Sequence, residues 1–473
     1  MSTDGSRLLL NSGAWYGDRP LLLNCPEQWN VRMHAPRLPR PLTDEEIEKR
    51  LENPVGQPPL WRLAEGKRRP IIIVDDLTRP TPADRIMPAL LRHLKAAGIQ
   101  PRDVRVLLAS GSHGGIPSNA LIKKIGPEAA SSCRLLTHDY RRDLARVGRT
   151  SFGSDVLVNR EVVASDLVIG VGGVYPQHST GFGGGSKLAL GVLGRSTIVS
   201  LHYGRASVGG SYQVYNDFRR ELDEIAVMIG LRTMVSVHVD SARQIVRMVS
   251  GDHFQYYRDA AAFSVEAFRA PLPGEADVVI ANAYPIDVSL TFMRSKGLTP
   301  LYHAPPHASR IAISANSEGL GHHGLYPFLN GPRFDSQRQL ARRIRHMSPA
   351  QVVAKVSGRI RRLTSKRARP QAAGETPRHP IMLFTPEAVR GSLPTETALW
   401  HGSPERLVIF DQWAEILERI KREQPGRSEL DVVVYPCAPL QVLDTAASRR
   451  ALSPTSGLAG EQDEVIDAPG PCS

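Results

Sequence analysis

Three short apolar runs, each ending in a turn rich in glycine or reactive side chains, constrain this chain more than any other feature. PIIIVDD (Pro70–Asp76) is β-branched without polar alternation, as expected of a strand buried on both faces. Thr81 and Pro82 then suit the cap and first turn of a helix running to Gly98, where a C-terminal glycine belongs. DVRVLLASGSHGG (Asp103–Gly115) and SDLVIGVGGVYPQHSTGFGGGSK (Ser165–Lys187) repeat the strand-and-turn pattern. Strand, turn and helix in alternation predict parallel strands joined by crossovers. In RAPLPGEADVVIANAYP (Arg269–Pro285), prolines and a glycine break the pattern before a fresh strand at Val278–Ala281. Further strands are expected in SRIAISANSEGLGHHG and LDVVVYPCAP, with DQWAEILERIKRE a helix between them. No internal repeat is evident. At 473 residues the chain exceeds one ordinary core. The expected fold class is therefore α/β, with two α/β domains of mainly parallel sheets and an interdomain active-site cleft. The expected domains span 1–270 and 275–452, followed by a disordered tail over 453–473.

The glycine turn admits several readings. STGFGGGSKLALG (Ser179–Gly191) carries glycines at 181, 183, 184 and 185, then a lysine. A phosphate-binding P-loop needs glycine before the lysine and a hydroxyl after it, but Ser186 precedes Lys187 and Leu188 follows. The dinucleotide fingerprint fails at Ser186, where its third glycine would fall. A flexible turn, a cradle and a device that holds Lys187 remain open on these residues alone. Elsewhere there is no H-E-x-x-H zinc pair and no G-x-S-x-G nucleophile elbow. What recurs is a reactive side chain after each strand: Asp75, Asp76 and Arg79 after the first, His113 after the second, His178, Lys187 and then His202 after the third. Open α/β sheets bind ligands at the carboxyl ends of their strands, so these groups belong to one site.

Charge and cysteine content narrow the partners. The formal net charge of +12 suits an acidic ligand. Much of the excess lies in Arg342–Pro370, which has few aromatics to stack on bases, so nucleic acid is not expected. Cys25, Cys133, Cys437 and Cys472 form no framework, no apolar run is long enough to cross a bilayer, and the N-terminus lacks a basic leader. A cytoplasmic address is the expectation. Asp139 and Tyr140 in THDY read as braces for a turn; His322 and His323 in GHHG read as surface residues, with a place lining the cleft as the alternative.

Taken in order, DDLTRPTP, GSHGG, THDY, LVNREVVASDLVIGVGGVYPQHSTGFGGGSK and TIVSLH resemble the nickel-dependent lactate racemase family over roughly residues 65–325. The resemblance implies two α/β domains and a nickel-pincer nucleotide, a pyridinium mononucleotide whose sulfur arms and a carbon hold the metal. It implies Lys187 as the covalent tether, with glycines letting backbone approach the cofactor, and His202 as the nickel ligand. Asp76 and Arg79 would serve the cofactor and substrate pocket, Arg79 and Lys296 the substrate carboxylate, and His113 and His178 the acid/base chemistry. The implied reaction is racemisation or epimerisation of a 2-hydroxy acid by reversible hydride transfer, in a protein that also depends on cofactor-building enzymes. Two alternatives are a one-sided redox enzyme on the same cofactor and a non-catalytic anion-binding homologue.

The chain departs from the family pattern at several points. Counting back from Lys187 puts Gln177 rather than His178 at the second acid/base position: either the turn absorbs one residue and His178 still serves, or glutamine, which cannot take a proton at neutral pH, replaces the base. The stretch between Lys187 and His202 is shortened by one residue and lacks the family's proline. Met293 stands where the family carries glutamine, which predicts a substrate with an apolar group near Met293. The basic segment at 342–370 has no counterpart in the pattern.

Overall fold

The computed structural model describes residues 3–4, 7–204, 211–214, 216–325, 378–386, 393–399 and 405–452. The basic segment at 342–370 and the expected tail at 453–473 lie outside the described residues.

The three apolar runs form neighbouring strands of one six-stranded sheet, ordered Ile245–Asp252, Thr233–Val239, Leu167–Gly173, Pro70–Asp75, Arg105–Ala109, Arg134–Thr137. All neighbours are parallel except the edge pair Thr233–Val239 with Ile245–Asp252. Residues of Pro70–Asp75 alternate between two apolar layers. Ile72 and Val74 pack into one core cluster and Ile71 and Ile73 into another, so helices must cover both faces. The chain winds outward from Pro70–Asp75 through the next two strands, then returns to lay Leu167–Gly173 on the opposite side. The strand order thus reverses between Pro70–Asp75 and Leu167–Gly173, and their carboxyl ends open the crevice where ligands bind in such sheets.

The second sheet has seven strands, ordered Glu396–Ala398, Arg406–Phe410, Ile381–Phe384, Ser309–Ile313, Val278–Asn282, Asp431–Tyr435, Asn30–Met33. It is parallel apart from the Glu396–Ala398 edge. The expected helix is found at Trp413–Glu423. Although grouped by sequence with the first 270 residues, Asn30–Met33 pairs with Asp431–Tyr435, and Leu8, Leu10, Leu23 and Trp29 fill the core beneath this second sheet. Asp287 receives the backbone amides of Gly13 (2.9 Å) and Ala14 (3.1 Å), which fastens the N-terminal turn to the second sheet.

One local expectation is overturned. Thr81 does not cap a helix: its hydroxyl donates to Asp75 Oδ2 at 2.5 Å, and the α-helix begins at Met87 after a 3-10 turn. The charge-assisted bond to a buried carboxylate outweighs the single amide that the hydroxyl could accept from as a cap. Lys124, wholly buried, meets the same carboxylate at 2.8 Å and donates to the carbonyls of Arg79 (3.0 Å) and Thr81 (3.1 Å). The 76–81 turn is therefore held from below by a buried cation. As expected, Asp139 closes its own turn through the Arg141 amide (2.9 Å), and the buried Tyr140 supports it.

Candidate active site

Each strand end delivers its side chain into the crevice. After Pro70–Asp75, Asp76 accepts from the Thr78 hydroxyl (2.5 Å) and amide (3.1 Å) through Oδ1, and from His113 Nδ1 at 2.5 Å through Oδ2. Burial alone would raise the Asp76 carboxyl, but His113, Arg79 and the Thr78 hydroxyl hold it well below the usual carboxylate range. Burial lowers the His113 imidazole despite the pull of Asp76. The pair is thus a neutral imidazole donating from Nδ1 to an ionised carboxylate, which leaves the ring's lone pair on Nε2.

The glycine turn is a braced support. Gly181 has φ +73°, and a Cβ there would lie 2.0 Å from the Gln213 carbonyl oxygen, so no other residue fits. Arg219, buried on the helix Asp217–Met228, donates to the carbonyls of Thr180 (3.3 Å), Phe182 (2.5 Å) and Gly184 (2.9 Å), and to the Tyr257 hydroxyl. The turn's carbonyls face a cation, which rules out a loose hinge. Lys187, half-buried, emerges from this support. Burial, then the charges of Arg79 and Arg219, lower its ammonium from 10.5 to about 7.

His202 lies on the helix Arg195–Tyr203, edge-on to Phe218 at 5.1 Å. Its Nδ1 donates to the Ile198 carbonyl at 2.8 Å, which assigns the lone pair to Nε2. Burial, with the charge of Lys187, lowers this imidazole to about 4, so it is neutral near pH 7. Lys296 enters from the second sheet, its ammonium depressed well below the ordinary value by burial and then by Arg79 and Lys187. Arg79 thus acts on His113, Lys187 and Lys296 alike, and these groups converge.

Three sequence expectations are redrawn by geometry. His178 is exposed, its Nδ1 hydrogen-bonded to Ser211 at 2.7 Å, while Gln177 accepts from the Ser179 amide (2.8 Å) and hydroxyl (3.0 Å) within its own turn. Neither is drawn into the convergent set by these bonds. His323, expected at the surface, instead pairs in register with His113 across a two-stranded ladder, their rings 5.0 Å apart. Its neighbour His322 is exposed. Met293 packs wholly within the second domain's core, so it offers no wall to a substrate; Phe292 does, with its ring 4.5 Å from that of His113. The adjacent Ser289–Met293 turn decides which of the two faces the crevice, and composition carries no signal of that. Among the described residues no three His, Cys, Asp or Glu side chains converge as a metal site, so His202 would need partners from a bound group. No helix among the described residues is long and apolar enough to cross a membrane.

Comparison with known proteins finds one family match and several relatives. Residues 16–210 match the lactate racemase N-terminal domain family. The chain is 28% identical over 294 residues to a lactate racemase of Lactiplantibacillus plantarum, covering 60% of this chain and 68% of that one. It is 28% identical over 329 residues to a lactate racemase of Thermoanaerobacterium thermosaccharolyticum, covering 66% and 76%. The solved apoprotein of the lactate racemase from T. thermosaccharolyticum has a similar fold, with TM-score 0.63 at 22% identity over 93% of this chain and all of that one. A Thermotoga maritima protein structure is similar at TM-score 0.52 and 18% identity.

Proposed function

The chain belongs to the lactate racemase family, and from that premise we propose that it inverts the configuration at Cα of a small 2-hydroxy acid in the crevice between its two sheets. The observation that carries the proposal is the Asp76–His113 pair at 2.5 Å on adjacent strand ends, in a crevice that also receives Arg79, Lys296 and a Lys187 whose ammonium is depressed by burial.

The residues present fit a lysine-tethered nickel-pincer nucleotide. Near pH 7 a substantial fraction of Lys187 is the free amine, the form that can bond to an acyl group. His202, whose Nδ1 donates to the Ile198 carbonyl and whose lone pair is on Nε2, would serve as nickel ligand. Asp76 and Arg79 would help hold the nucleotide at the strand end. When bound, such a group supplies a reversible acceptor for the Cα hydride.

The chain's own residues bind the acid and move a proton. Arg79 and Lys296 hold the substrate carboxylate. His113 takes the hydroxyl proton on Nε2 while Asp76, through Nδ1, keeps that nitrogen basic and fixes the ring. With the proton and hydride gone, Cα is planar; delivery to its other face gives the opposite hand. Phe292 keeps water from the imidazole. The exposed position of His178 favours one alternative, a redox enzyme that works from a single side.

The test is the intact mass of protein purified anaerobically from cells that also express cofactor-building enzymes. A mass increase of a pincer nucleotide, absent in Lys187→Ala, is expected. An unmodified mass, from cells in which a known lactate racemase is modified, would overturn the tether.

A further inference from the structure

The two imidazoles His113 and His323 reach the crevice on the two strands of one small ladder, one from each half of the molecule. The ladder is fixed beyond its own register by the Gly324 amide, which donates to the Ser112 carbonyl at 2.7 Å. Both rings lie against Phe292, at 4.5 Å and 6.0 Å. Their bonding is complementary. His113 donates from Nδ1 to Asp76 and so carries its lone pair on Nε2. The Leu325 amide donates to His323 Nδ1 at 3.2 Å, which puts the ring proton on Nε2. One imidazole is therefore an acceptor and the other a donor, with centroids 5.0 Å apart. Rings this close, one offering an acceptor and the other a donor, can both reach a single small group in the crevice.

We infer that His323 is a catalytic residue of the proposed racemase: its Nε2–H donates to the substrate's 2-oxygen, the same oxygen whose proton His113 takes. This rests on the function proposed above. It assigns the oxygen one station for both hands of the substrate. As His113 removes the O–H proton, negative charge grows on that oxygen, and the His323 N–H stabilises it without giving up its proton. Burial, and after it the neighbouring Arg79 and Lys296 cations, disfavour a protonated His323, so the ring held by the Leu325 amide acts as a neutral donor. With the oxygen fixed, inversion requires the planar keto acid to turn about its C=O axis, which exchanges the carboxylate with the side chain. Arg79 from the first sheet and Lys296 from the second provide a cation for each of the two carboxylate positions. A second basic histidine at 178 is then unnecessary.

The experiment compares cofactor-loaded wild type with His323→Ala, His323→Gln and His178→Ala. Turnover is measured from each hand of lactate, and the histidine N–H signals are followed by NMR on adding pyruvate. Expected are a loss of kcat of roughly 100- to 1,000-fold from both hands in His323→Ala, recovery of about tenfold or more in His323→Gln, whose amide can still donate, and a much smaller loss in His178→Ala. Pyruvate should move the His323 Nε2–H signal of the wild type. Pyruvate that binds without moving that signal would overturn the inference, as would a collapse in His178→Ala with His323→Ala near wild type. If pyruvate moves the signal but neither hand of any 2-hydroxy acid is inverted, the donor assignment stands and the racemase reading fails. If pyruvate does not bind at all, both fail.

Discussion

Asp76 and His113 meet at 2.5 Å across the carboxyl ends of adjacent parallel strands, and the carboxylate's other oxygen is already committed to the amide and hydroxyl of Thr78. That division of labour makes Asp76→Asn a sharp test. The two Thr78 donors would claim the amide oxygen, leaving the amide NH2 against His113 Nδ1. The imidazole would then carry its proton on Nε2 and could no longer act as the base. Expected is a fall in kcat of about 10²- to 10⁴-fold with KM changed much less. Equal changes in both would instead give Asp76 a binding role.

Lys187 should react as an amine of pKa about 7. Burial and the two guanidiniums disfavour its protonated form, so the free amine dominates above that pH. In cofactor-free protein, labelling of Lys187 by an acylating reagent, followed by peptide mass, should rise through pH 7 rather than near the ordinary 10.5. Arg219→Met removes one of the opposing cations and should move the midpoint upward. A wild-type midpoint above 9 would contradict the assigned environment. The linkage has the same sign: the unfolded chain binds the extra proton between about 7 and 10.5, so this group's contribution to stability rises with pH across that window.

Gly181→Ala should damage the lysine support. A Cβ at φ +73° would stand 2.0 Å from a backbone oxygen, which no side-chain rotation relieves. A cost of about 1–3 kcal/mol is expected from denaturant melts, together with loss of the depressed Lys187 midpoint. An unchanged melt would mean that the turn and the 211–214 segment part easily.

Much of the site could be read from the strand ends. Asp76, His113, Lys187 and His202 each follow a strand or a local motif, so a single sequence places them near a common edge. His323 could not be found that way, because its approach to His113 depends on register between distant segments rather than on local pattern. Nothing in the local sequence marks Lys124 or Arg219 as buried, yet the first is wholly buried on Asp75 and the second is nearly so beneath the glycine turn. Their burial is decided by the carbonyls and carboxylates that the fold presents, which periodicity does not register. Likewise, four residues at Asn30–Met33 carry no sign of the distant sheet they complete.

Lys124→Met tests whether that hidden cation shapes the pocket. The change leaves Asp75 without its ion pair and two turn carbonyls without a donor. A loss of about 3–5 kcal/mol is expected by thermal or denaturant melt. Weaker cofactor retention should accompany it, since the same turn carries Asp76 and Arg79. Loss of stability with full retention would make Lys124 a purely structural group.

The central claim is inversion of a 2-hydroxy acid by hydride removal and return. The most direct measurement incubates the loaded enzyme in deuterated water with a single hand of lactate, and of other 2-hydroxy acids, and follows chirality and Cα isotope together. The expected result is conversion to a mixture of both hands with the original Cα hydrogen retained, because a hydride held within the site does not exchange with solvent. Inversion with solvent deuterium at Cα, or no inversion of any 2-hydroxy acid by enzyme shown to carry its cofactor, would contradict it.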